Sequence, residues 1–311
     1  MSFFYTAYGL KIASSLFLPE LQAIENSDDL MDICIKRGIC DLPPEVRDRE
    51  RFFQIDETTA ICYQSNAGGF MVKNGREVIV ETATSVADSL LRSLLLGVGF
   101  SCLLHQRGFL VLHSSAVAFR GGDGFGHAIG FVGQSHSGKS TMAAALHKRG
   151  HRALSDDLLA LSLDFQWEGK QANSSGPLVY PGHLHIKLRP PSVEAFGETE
   201  SLPRWHANLE SYLFQFPEQA VTQPLPLRCL YTLEEGPKIQ IELMEPHQSL
   251  MKLVNNSLCV RSLPTMNTDR NFLQCAQLAR QVPLYRLQRP LDFNQLSEVL
   301  DAVEEHQAQL K

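Results

Sequence analysis

Two groups of residues have types and spacings that could do chemistry together. Gly133, Gly138, Lys139 and Ser140, in the stretch GFVGQSHSGKSTM (130–142), follow the pattern G-x-x-x-x-G-K-[ST]. In that pattern a glycine-rich turn aims backbone N–H groups at phosphates, the lysine reaches the terminal oxygens and the hydroxyl faces magnesium. Asp156 and Asp157 follow in ALSDDLLAL, one helix and one strand further on. One carboxylate of such a pair can hold a metal while the other takes the proton of a substrate hydroxyl.

The surrounding elements must set that geometry. HAIGFVG reads as a short apolar strand, and STMAAALHKRG as a helix that is basic in its last turn and stopped by Gly150. The loop then sits at a strand-to-helix turn, where the helix N-terminus adds partial positive charge to a phosphate site. HRALSDDLLALSLD resumes strand character, and an adjacent strand emerging after the helix brings its carboxyl end to the same edge. Successive strand residues point to opposite faces, so both carboxylates serve one site only after a twist or turn. A solvated Asp-Asp turn between two strands is the alternative.

The chain has 311 residues, 44% of them hydrophobic and 20% charged, which is enough to bury a full core. A formal net charge of −6 argues against nucleic acid or an anionic membrane as partner, since both require concentrated positive charge. The seven cysteines are odd in number and contain no C-x-x-C pair, as expected of reduced thiols in the cytoplasm. The most apolar run, LLLGVGFSCLL (94–104), is shorter than the roughly 18 to 20 residues of a membrane span. The first residues carry no basic segment before an apolar one, so no export or anchoring is expected.

Residues 1 to 85 alternate strand-like runs with turns, which predicts a mostly antiparallel sheet with a hairpin turn at Asn74-Gly75. Helical spacing over 85–106 closes this unit, giving expected domains of 1–105 and 106–311. In the second, GFLVLHSSAVAF reads as one strand, and LRCLYTLEE and KIQIELMEP as a strand pair. Two helices, a strand (PLYRLQR) and a C-terminal helix complete it. Residues 165–225 are loop-rich and proline-punctuated, and are expected to hold substrate-facing pieces.

The array LHSSAVAF followed by GFVGQSHSGKSTMAAALHKRGHRALSDDLLAL resembles the catalytic domain of HPr kinase/phosphorylase, whose fold is similar to that of phosphoenolpyruvate carboxykinase. With YGLKIASSLFLPEL and LLGVGFSCLLHQRGFLVLHSSAV included, the whole chain is similar to the HPr-kinase-related proteins of lasso-peptide gene clusters, which phosphorylate the C-terminal serine of a precursor peptide. The resemblance implies an α/β (α+β) fold carrying a P-loop, ATP and magnesium as cofactors, a peptide acceptor bound by the N-terminal unit, and possible homo-oligomers. It implies nucleotide contacts from Gly133, Gln134, Ser135, His136, Ser137, Gly138, Lys139, Ser140 and Thr141. Asp156 would be the general base, Asp157 the metal-side partner together with Ser140, and His113 a strand histidine near the phosphates. A core histidine is the alternative for His113.

The chain departs from true HPr kinases in lacking the glycine-rich signature after the Asp pair, so phosphate-driven dephosphorylation is not expected. PGHLHIKLRPP stands there instead. Lys187 and Arg189 alternate with His185 on one face, and could clamp a phosphoryl group or a carboxylate, or be a solvated face. His183 and His185 have no third metal ligand at suitable spacing, and nothing local marks Arg261 or Arg270 as phosphate arginines. Two other readings are a small-metabolite kinase or carboxykinase-like enzyme, and a regulatory protein that binds nucleotide without transfer.

Overall fold

The computed structural model describes residues 2–25, 30–42, 44–47, 50–65, 68–82, 88–121, 124–163, 176–183, 185–198, 202, 204–206, 209–215, 221–258 and 268–310. Among them the protein is mixed α/β with three sheets. Strands β1 (Phe3–Ala7), β2 (Leu10–Ser14), β3 (Gln22–Ala23), β4 (Ile33–Arg37), β5 (Arg51–Ile55), β6 (Thr59–Gln64), β7 (Gly68–Lys73) and β8 (Glu77–Thr82) form the first, in the order β3-β1-β2-β4-β8-β7-β6-β5. The short helix α1 (Pro44–Arg47) lies between β4 and β5. Most pairs are antiparallel, but β4 runs parallel to both β2 and β8. The β7–β8 turn has Asn74 at φ 53° and Gly75 at φ 59°, closed by a 3.0 Å bond from the Arg76 N–H to the Lys73 carbonyl. Two consecutive positive φ values are the twist that suits a tight hairpin.

The helical run that follows is broken into α2 (Asp88–Leu94), a π-turn (Leu95–Gly99) and α3 (Phe100–Gln106). Residues 85–87 lie outside the described ones. Leu91, Leu95, Phe100 and Leu103 bury their stripe with Ile12, Phe70 and Val78 of the first sheet. The stretch Ser89–Gln106 is longer than the apolar run 94–104 and has the length and composition to cross a membrane, yet 56% of it is buried inside the protein.

GFLVLHSSAVAF is not one strand. The chain bends at His113, leaving β9 (Leu110–Leu112) and β10 (Ser114–Gly121), which pair with different neighbours. With β11 (Gly124–Val132), β12 (Arg152–Ser155), β13 (Leu159–Ser162), β14 (Leu178–Tyr180) and a long strand at Leu225–Glu235, they form a sheet that also takes in strands Gln240–Leu243 and Leu284–Arg289. The third sheet comprises β15 (His185–Leu188), β16 (Arg204–His206) and β17 (Leu209–Gln215). The later strands are therefore β18 (Leu225–Glu235), β19 (Gln240–Leu243) and β20 (Leu284–Arg289).

The expected pairing of LRCLYTLEE with KIQIELMEP does not occur, because β20 inserts between β18 and β19. The apolar content decides this: β20 buries Leu284 and Leu287, whereas β19 is largely exposed and takes the edge. Helices α4 (Lys139–Lys148), α5 (Pro190–Ala195), α6 (Pro246–Asn256), α7 (Thr268–Gln281) and α8 (Leu296–Gln309), with a 3-10 turn at Phe293–Gln295, complete the described elements. Val117, Phe131 and Tyr231 face α4 and α8 on one side of the large sheet, and their neighbours Ala116, Val132 and Leu230 face α6 and α7 on the other. The two-residue alternation of the strands thus produces a sheet covered on both faces.

Candidate active site

The glycine-rich loop leaves β11 at Val132 and enters α4 at Lys139. Gly133 has φ 150° and Gly138 φ 90°. The positive φ of Gly138 favours glycine, and a Cβ there would stand 2.3 Å from the Arg289 guanidinium, which would have to move. Lys139 is only 6% exposed, and its Nζ donates to the carbonyls of Gly133 (3.1 Å) and Gln134 (2.9 Å), which ties the loop into a ring. Arg289 Nη2 donates to the Ser137 carbonyl at 2.6 Å from outside that ring.

The sequence after the loop makes a dependable helix. Ala143, Ala144 and Ala145 have high helix propensity and small side chains, and with Met142 and Leu146 they form the buried face of α4. Its end is sealed by Gly150 at φ 100°: the Gly150 N–H donates to the His147 carbonyl and the His151 N–H to that of Leu146. The chain then reverses into β12, which pairs antiparallel with β10, itself antiparallel to β11. Hence β12 is not adjacent to the loop strand but one strand removed and parallel to it. The start of β10 lies between their carboxyl ends, and it delivers Ser115.

Asp156 is buried at 4% exposure, and all its bonds converge from separate elements. Its Oδ1 accepts from the Ser115 hydroxyl at 2.6 Å and the Ser140 hydroxyl at 2.8 Å, and its Oδ2 from the Lys187 backbone N–H at 2.9 Å. Burial raises its pKa to about 6, helped by the neighbouring Asp157 charge and opposed by these three hydrogen bonds.

Asp157 stands in different surroundings. It adopts φ 66°, and the Leu158 N–H bonds the Asp156 carbonyl across it at 2.8 Å, a three-residue turn with a strained centre. This is the turn that two adjacent acids needed. It sends the Asp157 carboxylate to Lys187 Nζ, 2.9 Å away, and to the wall of a large pocket. Burial alone would raise its pKa, but the Lys187 ammonium holds it below the ordinary carboxylate range, and Asp157 in turn raises that of Lys187.

That pocket has a volume of about 640 Å³ and a mixed lining. Ser135, His136, Lys139, Ser140, Asp157 and Lys187 give it polar groups, and Met142, Pro191, Pro290, Leu291, Phe293 and Leu296 apolar ones. His113 lines it too, with Nδ1 3.3 Å from the Asp157 carbonyl oxygen. Arg189 contacts His136 Nδ1 at 2.9 Å, and the Thr141 and Ser192 hydroxyls are 2.8 Å apart at the pocket wall. Gln134 and Ser137 contribute the carbonyls already described. Of the residues named from sequence, Arg270 lies against Gly108 rather than at the loop, and Arg261 lies outside the described residues.

Three participants carried no usable signal. Ser115 lies two positions beyond His113, a spacing that means nothing until the bend at His113 is known. Arg289 and the apolar wall at 290–296 follow a strand far from the loop in sequence. Among the described residues no three His, Cys, Asp or Glu side chains gather to hold a metal. His185 Nε2 instead contacts the Gln215 amide at 2.7 Å. The Ser140 and Asp156 oxygens, however, fit magnesium, which takes one or two protein oxygens and completes its shell with phosphates and water.

No family model and no curated protein matches the sequence. Among solved structures, the HPr(Ser) kinase/phosphatase from Coxiella burnetii is similar at a TM-score of 0.35 and 13% identity, over 64% of this chain and 91% of that one.

Proposed function

We propose that the protein is an ATP- and magnesium-dependent kinase that phosphorylates a serine hydroxyl of a peptide, with nucleotide-binding and catalytic machinery in residues 106–311. The observation that carries this reading is the division of labour between the two acids. Asp156 is tied to the loop serine, the arrangement a metal-side carboxylate needs, and Asp157 is turned into the pocket beside Lys187. Pure nucleotide binding gives no reason for the second, strained acid. On this reading Asp157 is the base and Asp156 the metal-side ligand, the reverse of the roles that the sequence resemblance implies.

The polar side chains of the pocket, with the loop N–H groups and Lys139, would receive the triphosphate, and its apolar side chains the base. Magnesium held by Ser140 and Asp156 would neutralise charge on the β- and γ-phosphate oxygens. The acceptor oxygen attacks the γ-phosphorus in line, a new P–O bond forms, and the bond to the β–γ bridging oxygen breaks. The acceptor proton passes to Asp157, and ADP leaves with its charge met by Lys139. Asp157 needs no raised pKa for this, because alignment and charge neutralisation dominate and proton transfer comes late. The C-terminal serine of a ribosomally made precursor peptide is the acceptor suggested by the sequence resemblance.

The test is incubation with γ-labelled ATP, magnesium and a precursor peptide ending in serine. Label on the peptide is expected, and Lys139→Ala or removal of the terminal serine abolishes it. Nucleotide binding without label on any hydroxyl acceptor would leave only the regulatory reading.

A further inference from the structure

The Asp157–Lys187 pair has a second side. Away from the nucleotide pocket, Glu20, Leu96, Gly97, His183 and His185 close a cleft of about 20 Å³ on Asp156, Asp157 and Lys187. Three of these five residues come from the N-terminal segment of the chain, and Leu213 completes the lining. Leu96 and Gly97 sit in the π-turn, a departure from α-geometry that is frequent at functional sites. Tyr8, whose ring meets that of His183 at 5.7 Å between centroids, has φ 54° although it is a bulky residue, and it is fully buried.

The polar atoms here are not paired off. Glu20 is 2% exposed; Arg92 Nε donates to its Oε1 at 2.8 Å, but Oε2 has no hydrogen-bond partner among the described residues. Neither His183 Nε2 nor the Tyr8 hydroxyl has one. Leaving a carboxylate oxygen buried and unbonded is costly enough that such an atom normally has a ligand or water to meet it. The volume of the cleft suits one oxygen-sized group.

We propose that this cleft is the subsite for the acceptor's nucleophilic hydroxyl, that Glu20 Oε2 receives a hydrogen-bond donor next to that hydroxyl, and that the N-terminal unit thereby completes the catalytic centre. The inference rests on the kinase reading and adds the acceptor's side to it. The acceptor hydroxyl then meets Asp157, which lines both cavities, and the proton it gives up has a base within reach. The ligand chemistry is a primary hydroxyl with an adjacent N–H, the pairing found in a seryl residue. The extra methyl of a secondary hydroxyl has no room. On transfer, the seryl oxygen–hydrogen bond breaks, the proton goes to Asp157, and the oxygen–phosphorus bond forms as ADP departs.

The experiment uses the full chain with magnesium and a β,γ-imido ATP analogue, and follows binding of N-acetyl-seryl-methylamide by ligand-observed NMR. The alanyl and threonyl counterparts are controls, and every titration is repeated without nucleotide. The seryl probe is expected to bind at least tenfold more tightly than either control. Gly97→Leu adds bulk to the π-turn that lines the cleft, without a clash at the new Cβ, and leucine is the better helix former. It should weaken the seryl probe at least tenfold while analogue affinity stays within twofold. Equal binding of seryl and alanyl probes, or wild-type seryl affinity in Gly97→Leu, overturns the proposal. Failure of the analogue to bind the wild-type protein would instead sink the nucleotide reading, while the seryl-against-alanyl comparison without nucleotide still decides on the cleft.

Discussion

The two sides of the Asp157–Lys187 pair are built in opposite ways. On one side lies a pocket of about 640 Å³, whose polar lining comes largely from one contiguous loop and the helix after it. On the other lies a small cleft of about 20 Å³, assembled from a buried glutamate, a π-turn and two histidines that are remote in sequence. The first is the kind of site a local motif can specify, because backbone N–H groups and a helix terminus recognise phosphate whatever surrounds them. The second is assembled from segments far apart in sequence, so a change in it need not disturb the glycine-rich loop.

The largest effect that would sharpen this contrast is at the acid shared by both sides. Asp157→Asn should lower the turnover rate by between about a hundredfold and ten-thousandfold, as expected for loss of a general base. Affinity for the imido analogue, measured by calorimetry, should be nearly unchanged. Equal losses of binding and turnover would assign Asp157 to the nucleotide side alone.

A smaller and one-sided effect is expected at Arg289, which braces the loop through the Ser137 carbonyl. Arg289→Met should weaken analogue binding by about tenfold, the worth of one charge-assisted hydrogen bond. Seryl-probe affinity without nucleotide should be untouched; a parallel loss there would mean that the two cavities are not independent.

The smallest effect concerns pH. Burial lowers the pKa of His147, in the helix behind the loop, and of His105, in the helix beneath the first sheet, to about 4, with Arg152 and Arg270 respectively adding repulsion. Both folded-state values lie below the unfolded value near 6.5. The stability they contribute is therefore present above about pH 6.5 and lost as pH falls toward about 4. Thermal melting should show this decline, and His147→Gln should remove part of it without touching the part due to His105.

Local chemistry made much of this legible. The loop glycines, Lys139, the alanine-rich α4 and its Gly150 stop all follow from residues within one helix length of one another, because propensity and capping act over a few residues. The hairpin at Asn74-Gly75 is of the same kind. The bend at His113 was not legible, since nothing in LHSSAV opposes a continuous strand; it arises because β9 and β10 join different partners. The insertion of β20 between β18 and β19 was equally hidden, because it depends on which strand has more apolar surface to bury.

The sequence by itself determined a glycine-rich loop at a strand-to-helix turn and two acids one strand further on. Tertiary structure decided which acid meets Ser140 and Ser115 and which meets Lys187. It did so by placing β10 between the two strand ends and by forcing Asp157 into a left-handed turn. It also brought Glu20 and the π-turn to the far side of the pair. Hydrogen bonds and burial between such distant segments depend on the packing of whole sheets, and no short stretch of residues encodes that.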